Sequence, residues 1–485
     1  MLLSKLFKNA PDIEIEALNI DSRKACKNSI FFCVKGLKTD GHNYIEQAIK
    51  NGAIVIVHSD PIENRVNATY IKVNDVVMVL NACANIFYGR PSSILKTYGV
   101  TGTNGKTTVT SLIKQYKDAK GACGYIGTLG TIFKDKRYDT YLTTPNVIDL
   151  NKHLNMMVED GCDSCAIEVS SIGIDQRRIE GINFDIAVFT NFTHDHLDYH
   201  GSMNEYFLCK KKFFDDLTEN SIAITNIDDE VGLSMIADCK CKIISYGKSS
   251  RADYMISDIQ LTAYGTKFNL TYGDKIHIVN TALAAEFNVY NLVATIAALH
   301  ESGEDLAEII EFCPLFKAVE GRMHQIIEGQ DYNVFVDFAH TPDGIEKVFM
   351  YAKSITTKQN KIIGVFGSAG KRDVAKRKIF GELADKYLDG VILTADDPRD
   401  ESVVEICEEI RGGIKNINAT IIEDRATAIE MAIDMMCAGD TLLILGKGDE
   451  KFIYGPTEKI YYDGDDVVAE NAIKKTMEEY ENEEF

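Results

Sequence analysis

Short apolar runs alternate with helical patterns along most of the chain, and this alternation restricts the fold more than any other feature. Between most runs, apolar residues recur with a helical period, for example at 105–118, 203–217 and 376–388. Strands that alternate with helices form parallel sheets covered on both faces, so the sequence predicts an α/β fold. The predicted strands are SIFFCV (29–34), AIVIV (53–57), CAIEV (165–169), FDIAVFT (184–190), SIAIT (221–225), VFVDF (334–338), KIIGVFG (361–367), GVILTA (390–395) and TLLILG (441–446).

One segment breaks this alternation. Between residues 252 and 283, polar and apolar residues alternate and glycine turns separate them, which predicts an antiparallel addition to a parallel sheet. A chain of 485 residues is too long for one ordinary core, and the pattern is interrupted at G-R-P-S-S (89–93) and at Cys313-Pro314. We therefore expect three domains, at 1–92, 93–317 and 318–485.

Composition excludes several classes of protein. Lys and Arg number 52 against 73 Asp and Glu, giving a net charge of −21, which argues against a nucleic-acid partner. No apolar run reaches 18 residues, so no membrane span is expected, and the acidic start of the chain is unlike a signal peptide. The twelve cysteines are scattered, which predicts free thiols in a reducing cytoplasm.

A phosphate-binding loop is predicted at 97–108, TYGVTGTNGKTT, where an apolar strand leads into glycines and then a helix. Glycine lets backbone N–H groups approach phosphate oxygens, and the helix start adds positive potential. Lys106 is suited to the β- and γ-phosphates of a nucleotide, and the hydroxyl of Thr107 to Mg²⁺. The loop is shorter than the full G-x-x-x-x-G-K-T/S pattern, because Val100 stands where its first glycine would be. The central domain is therefore expected to be a P-loop ATPase-like parallel sheet that carries the antiparallel addition.

Three histidines and two aspartates crowd the stretch NFTHDHLDYHG at 191–201. Their spacing allows either the metal cage of a two-zinc hydrolase or the metal and phosphate site of an ATP-driven enzyme. The upstream phosphate loop favours the second interpretation, because Mg²⁺ sites combine carboxylates with nucleotide phosphates.

A set of motifs in a fixed order covers nearly the whole chain, and through them the sequence resembles the Mur ligase family. The motifs are D-S-R (21–23), D-G-H (40–42), TGTNGKTT (101–108), T-T-P (143–145), E-V-S-S (168–171), DHLDYHG (195–201), N-V-Y-N (288–291), E-G-R-M (320–323), DFAHTPDG (337–344), GSAGKRD (367–373), DDPR (396–399) and GKGDE (446–450). The resemblance implies a small N-terminal domain that binds uridine diphosphate and a C-terminal Rossmann-like α/β domain that binds an amino acid.

The resemblance also implies a reaction. ATP phosphorylates a free carboxylate of UDP-N-acetylmuramoyl-L-alanyl-D-glutamate, and the amine of a diamino acid attacks the acyl phosphate, releasing ADP and phosphate. A carboxylate is a poor electrophile, so a leaving group must be attached first, and cations must offset the negative oxygens that come together. The expected cofactors are ATP and two Mg²⁺ ions, together with a carbamate derived from CO₂ on Lys210. The resemblance further implies a monomer in the cytoplasm.

The resemblance implies roles for the residues that stand at the matching positions of the family's motifs. The catalytic set is Lys106, Glu168, His196 and Lys210, and the metal set is Thr107, Glu168, His196 and carbamylated Lys210. ATP is assigned to Gly102, Thr103, Asn104, Gly105, Lys106, Thr107, Thr108, Asn288, Asn291, Arg322, Asp337 and His340. The UDP-muramoyl dipeptide is assigned to Ser22, Thr143, Thr144, Ser170, Gln176 and Arg178, and the amino acid to Arg372, Asp396, Asp397, Arg399, Gly446 and Glu450. Asp198 is expected either to support His196 or to have a structural role, and His194 and His200 are expected to be structural.

The choice of diamino acid stays open between meso-diaminopimelate, which is favoured, and L-lysine. Arg399 suits a distal carboxylate, but relatives that add diaminopimelate carry Asn where Asp397 stands, and a further carboxylate suits an ammonium. More remote alternatives are a ligase of the folylpolyglutamate or cyanophycin type, a regulatory binder with a ligase fold, and a zinc-dependent hydrolase.

Overall fold

The computed structural model describes residues 1–36, 39–62 and 68–483, with side chains described as far as Glu478. Three separate sheets carry the fold, and each lies inside one of the three predicted domains. The domain boundaries themselves stay a prediction. Short 3-10 helices lie at Leu3–Lys5, Ser22–Lys24, Gly41–Tyr44, Pro91–Ser93 and Cys313–Leu315.

The N-terminal sheet is parallel and has the order β1-β2-β3-β4. Its strands are β1 (Ala17–Asn19), β2 (Ser29–Phe32), β3 (Ala53–His58) and β4 (Thr69–Lys72), with helices α1 (Ile45–Lys50) and α2 (Val76–Phe87). Because successive strand residues face opposite sides, Ile30 and Phe32 pack toward α2 while Phe31 packs toward α1. Burial on both faces explains why β2 and β3 are continuously apolar in the sequence.

The central sheet is mixed and has the order β15-β14-β13-β12-β11-β10-β5-β9-β6-β7-β8. Its strands are β5 (Lys96–Thr101), β6 (Cys123–Gly127), β7 (Gly130–Phe133), β8 (Lys136–Tyr138), β9 (Ser164–Glu168), β10 (Ile186–Phe189), β11 (Ile222–Asn226), β12 (Lys242–Gly247), β13 (Tyr254–Thr262), β14 (Gly265–Tyr272) and β15 (Lys275–Thr281). Its helices are α3 (Lys106–Lys120), α4 (Val147–Glu159), α5 (Ser171–Asp175), α6 (Leu197–His200), α7 (Met203–Asp215), α8 (Gly232–Met235), α9 (Glu286–Glu301) and α10 (Leu306–Phe312).

Antiparallel strands extend this sheet at both ends. The addition at β13–β15 confirms the prediction for 252–283. A second one, β6-β7-β8, was not predicted from the sequence. Its last strand, Lys136–Tyr138, has only three residues and is polar, so it carries no clear apolar pattern. Lys134, at the turn before it, has a left-handed backbone with φ of 51°.

The C-terminal sheet has the order β16-β17-β21-β18-β19-β20 and is parallel except for the pair β16–β17. Its strands are β16 (His324–Ile326), β17 (Asn333–Asp337), β18 (Ile362–Phe366), β19 (Gly390–Leu393), β20 (Asn418–Ile421) and β21 (Thr441–Leu445), and β22 (Phe452–Tyr454) and β23 (Lys459–Tyr461) form a separate hairpin. The helices are α11 (Pro342–Ile355), α12 (Ala375–Tyr387), α13 (Val403–Arg411), α14 (Arg425–Asp434) and α15 (Asp465–Glu483).

The nine predicted strands and the three predicted helices are all present, so the α/β prediction is confirmed. The motif residues lie where the strands end: Gly102 after β5, Glu168 at the end of β9, Asp337 at the end of β17 and Gly446 after β21. Ligands bind at the carboxyl ends of parallel strands, so these ends mark the region of the candidate site. Within the described residues, no helix has both the length and the apolar composition that a membrane crossing needs.

Candidate active site between the central and C-terminal sheets

The phosphate loop joins β5 to α3 and depends on two glycines. Gly102 and Gly105 have φ of 151° and 87°, a region that side chains disfavour. A Cβ atom at Gly102 would collide with the hydroxyl of Thr190, and one at Gly105 with the side-chain oxygen of Asn291. The loop therefore packs closely against β10 and α9, and this packing fixes its shape.

Lys106 begins α3 and folds back over the loop. Its Nζ donates to the carbonyls of Gly102 (3.0 Å) and Thr103 (2.8 Å). Burial lowers the pKa of Lys106, and the negative charges of Glu168 and Asp195 oppose that shift. The ammonium is therefore held against the backbone of the phosphate loop.

Glu168 is fully buried at the end of β9, and neighbouring elements satisfy its carboxylate. Thr107 Oγ1 donates to Oε2 (3.0 Å), the backbone N–H of Thr128 donates to Oε1 (3.0 Å), and the hydroxyls of Thr128 and Tyr125 also donate. Tyr125 lies on β6, the neighbour of β9, so strand pairing creates this contact. Thr107 and Glu168 together present the hard oxygen donors that Mg²⁺ prefers.

Lys210 is buried on α7, and its Nζ donates to the carbonyl of Gly102 (2.9 Å). The same atom lies 4.7 Å from the centre of the Tyr206 ring. Burial first, and the nearby ammonium of Lys106 second, hold the pKa of Lys210 well below its ordinary value. Both effects shift the protonation equilibrium of Lys210 toward the neutral amine.

His196 caps α6 with a left-handed backbone, φ 54°. Its Nε2 lies 3.4 Å from Asp195 Oδ2. Burial lowers the pKa of His196 to about 4, although Asp195 opposes the shift, so the imidazole is neutral and able to act as a metal ligand. No hydrogen bond or ion pair joins His196 to Glu168 in the described part of the chain, so the structure does not bring these two predicted ligands into contact.

The other histidines of the 191–201 stretch point to separate partners. His194 Nε2 lies 3.0 Å from Asp373 Oδ2 of the C-terminal domain, and His200 Nε2 lies 3.0 Å from Ser171 Oγ. Asp198 has a structural contact, an ion pair with Arg372 of the C-terminal domain (3.6 Å), and among the described residues no hydrogen bond or ion pair joins it to His196. The neighbour of His196 is instead Asp195. These separate contacts argue against a zinc cage, which would need the imidazoles to converge.

A cavity of about 560 Å³ opens beside the phosphate loop, between the central and C-terminal sheets. Asn104, Gly105, Thr108, Asn291, Arg322, Asp337 and His340 are the predicted ATP residues in its wall. Asn288 does not line it, because its amide donates to the carbonyl of Ala284 (2.8 Å) and its oxygen accepts from Asn291 (3.0 Å). Asn288 thus positions Asn291, which does face the cavity.

Arg322 and Asp337 form the far wall of this cavity. The Arg322 guanidinium lies 4.1 Å from the centre of the Phe338 ring, a cation–π contact. The buried Asp337 accepts from the backbone N–H groups of Met323 (2.6 Å) and Ala339 (2.7 Å). Burial raises the pKa of Asp337, and Arg322 and these hydrogen bonds oppose the rise.

Most residues assigned to the muramoyl dipeptide form one network beside Glu168. The hydroxyl of Thr144 donates to the carbonyl of Glu168 (2.8 Å) and contacts Ser170 Oγ (3.0 Å). Arg178 donates to the carbonyl of Thr144 (2.8 Å) and to Gln176 Oε1 (2.6 Å).

The remaining two residues of this set lie at its edges. Thr143 contacts Thr128 (3.4 Å), which also donates to Glu168. Ser22, in the N-terminal domain, donates to Gln47 Oε1 (3.0 Å).

A second cavity, of about 220 Å³, lies between the 194–198 stretch and the ends of the C-terminal strands. All six residues assigned to the amino acid line it: Arg372, Asp396, Asp397, Arg399, Gly446 and Glu450. His196 lines it from the central domain, while His340 and Phe338 line both cavities.

Known proteins match this chain along almost its whole length. Three family descriptions match in order: "Mur ligase family, catalytic domain" at 14–88, "Mur ligase middle domain" at 100–299 and "Mur ligase, glutamate ligase domain" at 321–448. The UDP-N-acetylmuramoyl-L-alanyl-D-glutamate--2,6-diaminopimelate ligase 1 of Clostridium acetobutylicum is 36% identical over 462 residues, or 95% of each chain. The chain belongs to the Mur ligase family.

Two further comparisons agree with this membership. The UDP-N-acetylmuramoyl-L-alanyl-D-glutamate--2,6-diaminopimelate ligase of Geobacillus thermodenitrificans is 38% identical over 471 residues, 95% of each chain. A solved UDP-N-acetylmuramoyl-L-alanyl-D-glutamate--2,6-diaminopimelate ligase superposes with a TM-score of 0.72 and 29% identity, covering 98% of this chain and 99% of that one. The resemblance read from the motifs is confirmed, and the chain is a ligase of the Mur type.

Sequence reasoning missed several residues of this Mur ligase site. Tyr125 and Thr128 hold Glu168, and Asp195 adjoins His196. The fully buried Lys447 was not assigned although it lies within the GKGDE motif; its Nζ donates to Asp397 Oδ1 (2.8 Å) and Glu450 Oε2 (2.5 Å). The signal was available for Lys447 and Asp195, since both stand inside quoted motifs beside assigned residues, but their partners depend on the tertiary fold.

Proposed function

We propose that this Mur ligase uses ATP to join meso-diaminopimelate to UDP-N-acetylmuramoyl-L-alanyl-D-glutamate, forming an amide and releasing ADP and phosphate. One observation carries the proposal: the cavity beside the phosphate loop and the cavity lined by the six amino-acid residues share a wall made by Phe338 and His340. A nucleotide and an amine held in the two cavities would meet at that wall, where a carboxylate could first be phosphorylated and then attacked.

The larger cavity suits ATP. Backbone N–H groups of residues 102–108 and the ammonium of Lys106 would bind the phosphates, and Asn291 would face the base. Thr107, Glu168 and neutral His196 are the donors that would hold the two proposed Mg²⁺ ions, because hydroxyl and carboxylate oxygens suit this ion and a neutral imidazole can add a nitrogen ligand. When bound, Mg²⁺ supplies positive charge against the oxygens that gather in the transition state.

The muramoyl dipeptide would lie along the network of Thr143, Thr144, Ser170, Gln176 and Arg178, which adjoins Glu168. Its D-glutamate carboxylate then attacks the γ-phosphorus of ATP, the bond to the β-phosphate oxygen breaks, and ADP leaves. The neutral amine of the amino acid attacks the acyl carbon, the proton leaves the nitrogen, and phosphate departs with the bonding electrons. Ser22, in the N-terminal domain, would contact the uridine diphosphate.

Lys210 is proposed to act as a carbamate. A neutral amine reacts with CO₂ to give a carbamate and a proton, and burial favours the neutral amine at Lys210. The product is an anion next to the phosphate loop, because Lys210 Nζ lies 2.9 Å from the carbonyl of Gly102. It would orient the groups that hold the transferred phosphate.

One residue of the smaller cavity, Arg399, supports meso-diaminopimelate over L-lysine. Arg399 lines it and uses one guanidinium nitrogen on the carbonyl of Gly370 (2.5 Å), which leaves N–H groups for a distal carboxylate. The relatives from Clostridium acetobutylicum and Geobacillus thermodenitrificans are named as diaminopimelate ligases. L-Lysine is the second candidate, because Asp397 adds a carboxylate to this wall. We further propose that the protein is a cytoplasmic monomer.

The test is phosphate release from ATP with Mg²⁺ and UDP-N-acetylmuramoyl-L-alanyl-D-glutamate, run with meso-diaminopimelate, with L-lysine and with no amino acid. Release that depends on diaminopimelate supports the proposal. Release that occurs only with L-lysine would mean that L-lysine, and not diaminopimelate, is the amino acid added. No release with either amino acid would reject the proposed reaction.

A further inference from the structure

The smaller cavity is lined by more acidic than basic side chains, which opposes the binding of an amino acid with two carboxylates. Among the described residues that line it, six are acidic (Asp195, Asp198, Asp373, Asp396, Asp397 and Glu450) and three are Lys or Arg (Arg372, Lys376 and Arg399). Like charges repel a ligand as well as each other, so this lining by itself disfavours a second carboxylate.

Lys447 lies directly behind this wall. Its side chain is completely buried, and its Nζ donates to Asp397 Oδ1 (2.8 Å) and to Glu450 Oε2 (2.5 Å). Burial alone would lower the pKa of Lys447, but Asp396, Glu450 and Asp397 raise it, so the ammonium stays protonated. One cation thus faces two of the acidic residues that line the cavity.

The carboxylate of Asp397 is further committed to the protein backbone. The oxygen that accepts from Lys447 also accepts from the N–H of Tyr454 (3.0 Å), and the N–H of Arg399 donates to the carbonyl of Tyr454 (2.8 Å). Asp397 is therefore turned toward Lys447 and the β22–β23 hairpin, while Arg399, two residues on, lines the cavity.

We propose that Lys447 is a specificity-determining positioning residue, whose ammonium neutralises Asp397 and Glu450 so that the pocket accepts a distal carboxylate rather than an ammonium alone. The inference rests on the proposed function, since it concerns the choice of amino acid in that reaction. Without Lys447, the uncompensated carboxylates would favour L-lysine, whose side chain ends in an ammonium.

A double-mutant cycle tests the inference. The variants are Lys447→Met, Asp397→Asn and the pair together, and the measured quantity is the ratio of kcat/KM for meso-diaminopimelate to that for L-lysine. Lys447→Met should lower this ratio by about tenfold or more, mainly through a higher KM for diaminopimelate. Adding Asp397→Asn to Lys447→Met should restore most of the ratio, so Lys447→Met should have a much smaller effect in the Asp397→Asn protein than in the unaltered one.

Controls separate this role from a structural one. Lys447→Arg keeps the positive charge and should retain the preference. Lys451→Met makes the same chemical change four residues on, where Nζ contacts Asp463 and Asp466, and should leave the ratio and the KM for ATP unaltered. If Lys447→Met does not fold, Lys447→Gln takes its place in the cycle, and a ratio that Lys447→Gln leaves unaltered overturns the role of Lys447.

The outcomes distinguish a failure of the proposed role of Lys447 from a failure of the proposed function. Turnover of diaminopimelate by the unaltered protein without coupling between positions 397 and 447 overturns the role of Lys447 and leaves the proposed function standing. No turnover with either amino acid overturns both. Coupling in the expected direction supports both.

Discussion

Three lysines in or beside the site differ because their neighbours differ. Lys106 donates to two loop carbonyls, Lys210 donates to one carbonyl and lies against an aromatic ring, and Lys447 contacts two carboxylates. The pKa is accordingly lowered for Lys106 and Lys210, because burial dominates, and raised for Lys447, because carboxylates outweigh burial. The same side chain is thus suited to bind phosphate, to react with CO₂ or to neutralise acids.

Lys210→Ala should lower turnover about 100-fold or more, because it removes the proposed carbamate next to the phosphate loop. Added acetate or another short carboxylate should restore part of the activity by supplying an anion. The measurement is phosphate release at saturating substrates. Lys212→Ala is the matched control, since Lys212 lies on the same helix but pairs with Asp216 at the surface. Full activity in Lys210→Ala would refute the carbamate assignment.

Arg399→Ala should raise the KM for meso-diaminopimelate about 10- to 100-fold and that for L-lysine much less, because only the first has a distal carboxylate to bind. Steady-state kinetics with the two amino acids in parallel measure the difference. Equal losses for both would mean that Arg399 supports the loop rather than the distal group.

At the residue scale, the sequence predicted positions better than contacts. The six residues assigned to the amino acid share one cavity, as their motifs led us to expect. The sequence could not show that Asp397 would be turned toward Lys447, because that contact joins residues fifty positions apart after β19 and β21. The sequence suggested that Asp397 favours L-lysine as substrate, but its carboxylate is paired with groups of the protein itself.

At the scale of elements, the β22–β23 hairpin links the amino-acid pocket to the central domain. The hairpin pairs with Asp397 and Arg399 through Tyr454, and the ammonium of Lys459 lies 5.7 Å from the ring centre of Tyr141. Tyr141 precedes Thr143 and Thr144, the residues proposed to contact the dipeptide. The hairpin thus spans the place where the two substrates would meet.

Lys459→Met should raise the KM for the amino acid and for the muramoyl dipeptide about two- to fivefold, because an exposed cation–π contact of this kind is weak but joins two domains. The KM for ATP should stay the same, which separates this effect from general loss of structure. Lys378→Met is a suitable control, since Lys378 is on α12 and 70% exposed. An equal change for all three substrates would exclude a local role for the hairpin.

Some strands can be predicted from the sequence more easily than others. The strands β10, β18 and β21 are buried on both faces, so they appear as continuous apolar runs. The strands β8, β22 and β23 have three residues each and are largely exposed, and their sequences carry no such run. Their positions follow from packing against neighbours, which local patterns do not encode.

At the scale of the whole molecule, partly buried histidines make stability depend on pH. Burial lowers the pKa of His153, His196, His200, His300 and His340. As pH falls below the ordinary histidine value of about 6.5, the unfolded chain binds protons before the folded one does. The free energy of unfolding therefore decreases.

When the pH is lowered from 7.5 to 5.5, the midpoint of thermal unfolding should therefore decrease, by about 2–4 °C for each kcal/mol by which the free energy of unfolding falls. His153→Gln should flatten part of this fall, because His153 is partly buried against Thr131 and outside both cavities. Differential scanning calorimetry at both pH values measures it. A midpoint that rises on acidification would show that carboxyl groups with raised pKa values, such as Asp337 and Glu450, outweigh the histidines.

The most direct test of the account is an isotope experiment. UDP-N-acetylmuramoyl-L-alanyl-D-glutamate labelled with oxygen-18 in both free carboxylates of the D-glutamate is incubated with ATP, Mg²⁺ and meso-diaminopimelate, and the released phosphate is analysed by mass spectrometry. The account predicts one labelled oxygen in each phosphate, because that carboxylate oxygen stays on phosphorus when the acyl phosphate is broken by the amine. Phosphate released without the label would contradict activation of the carboxylate by ATP.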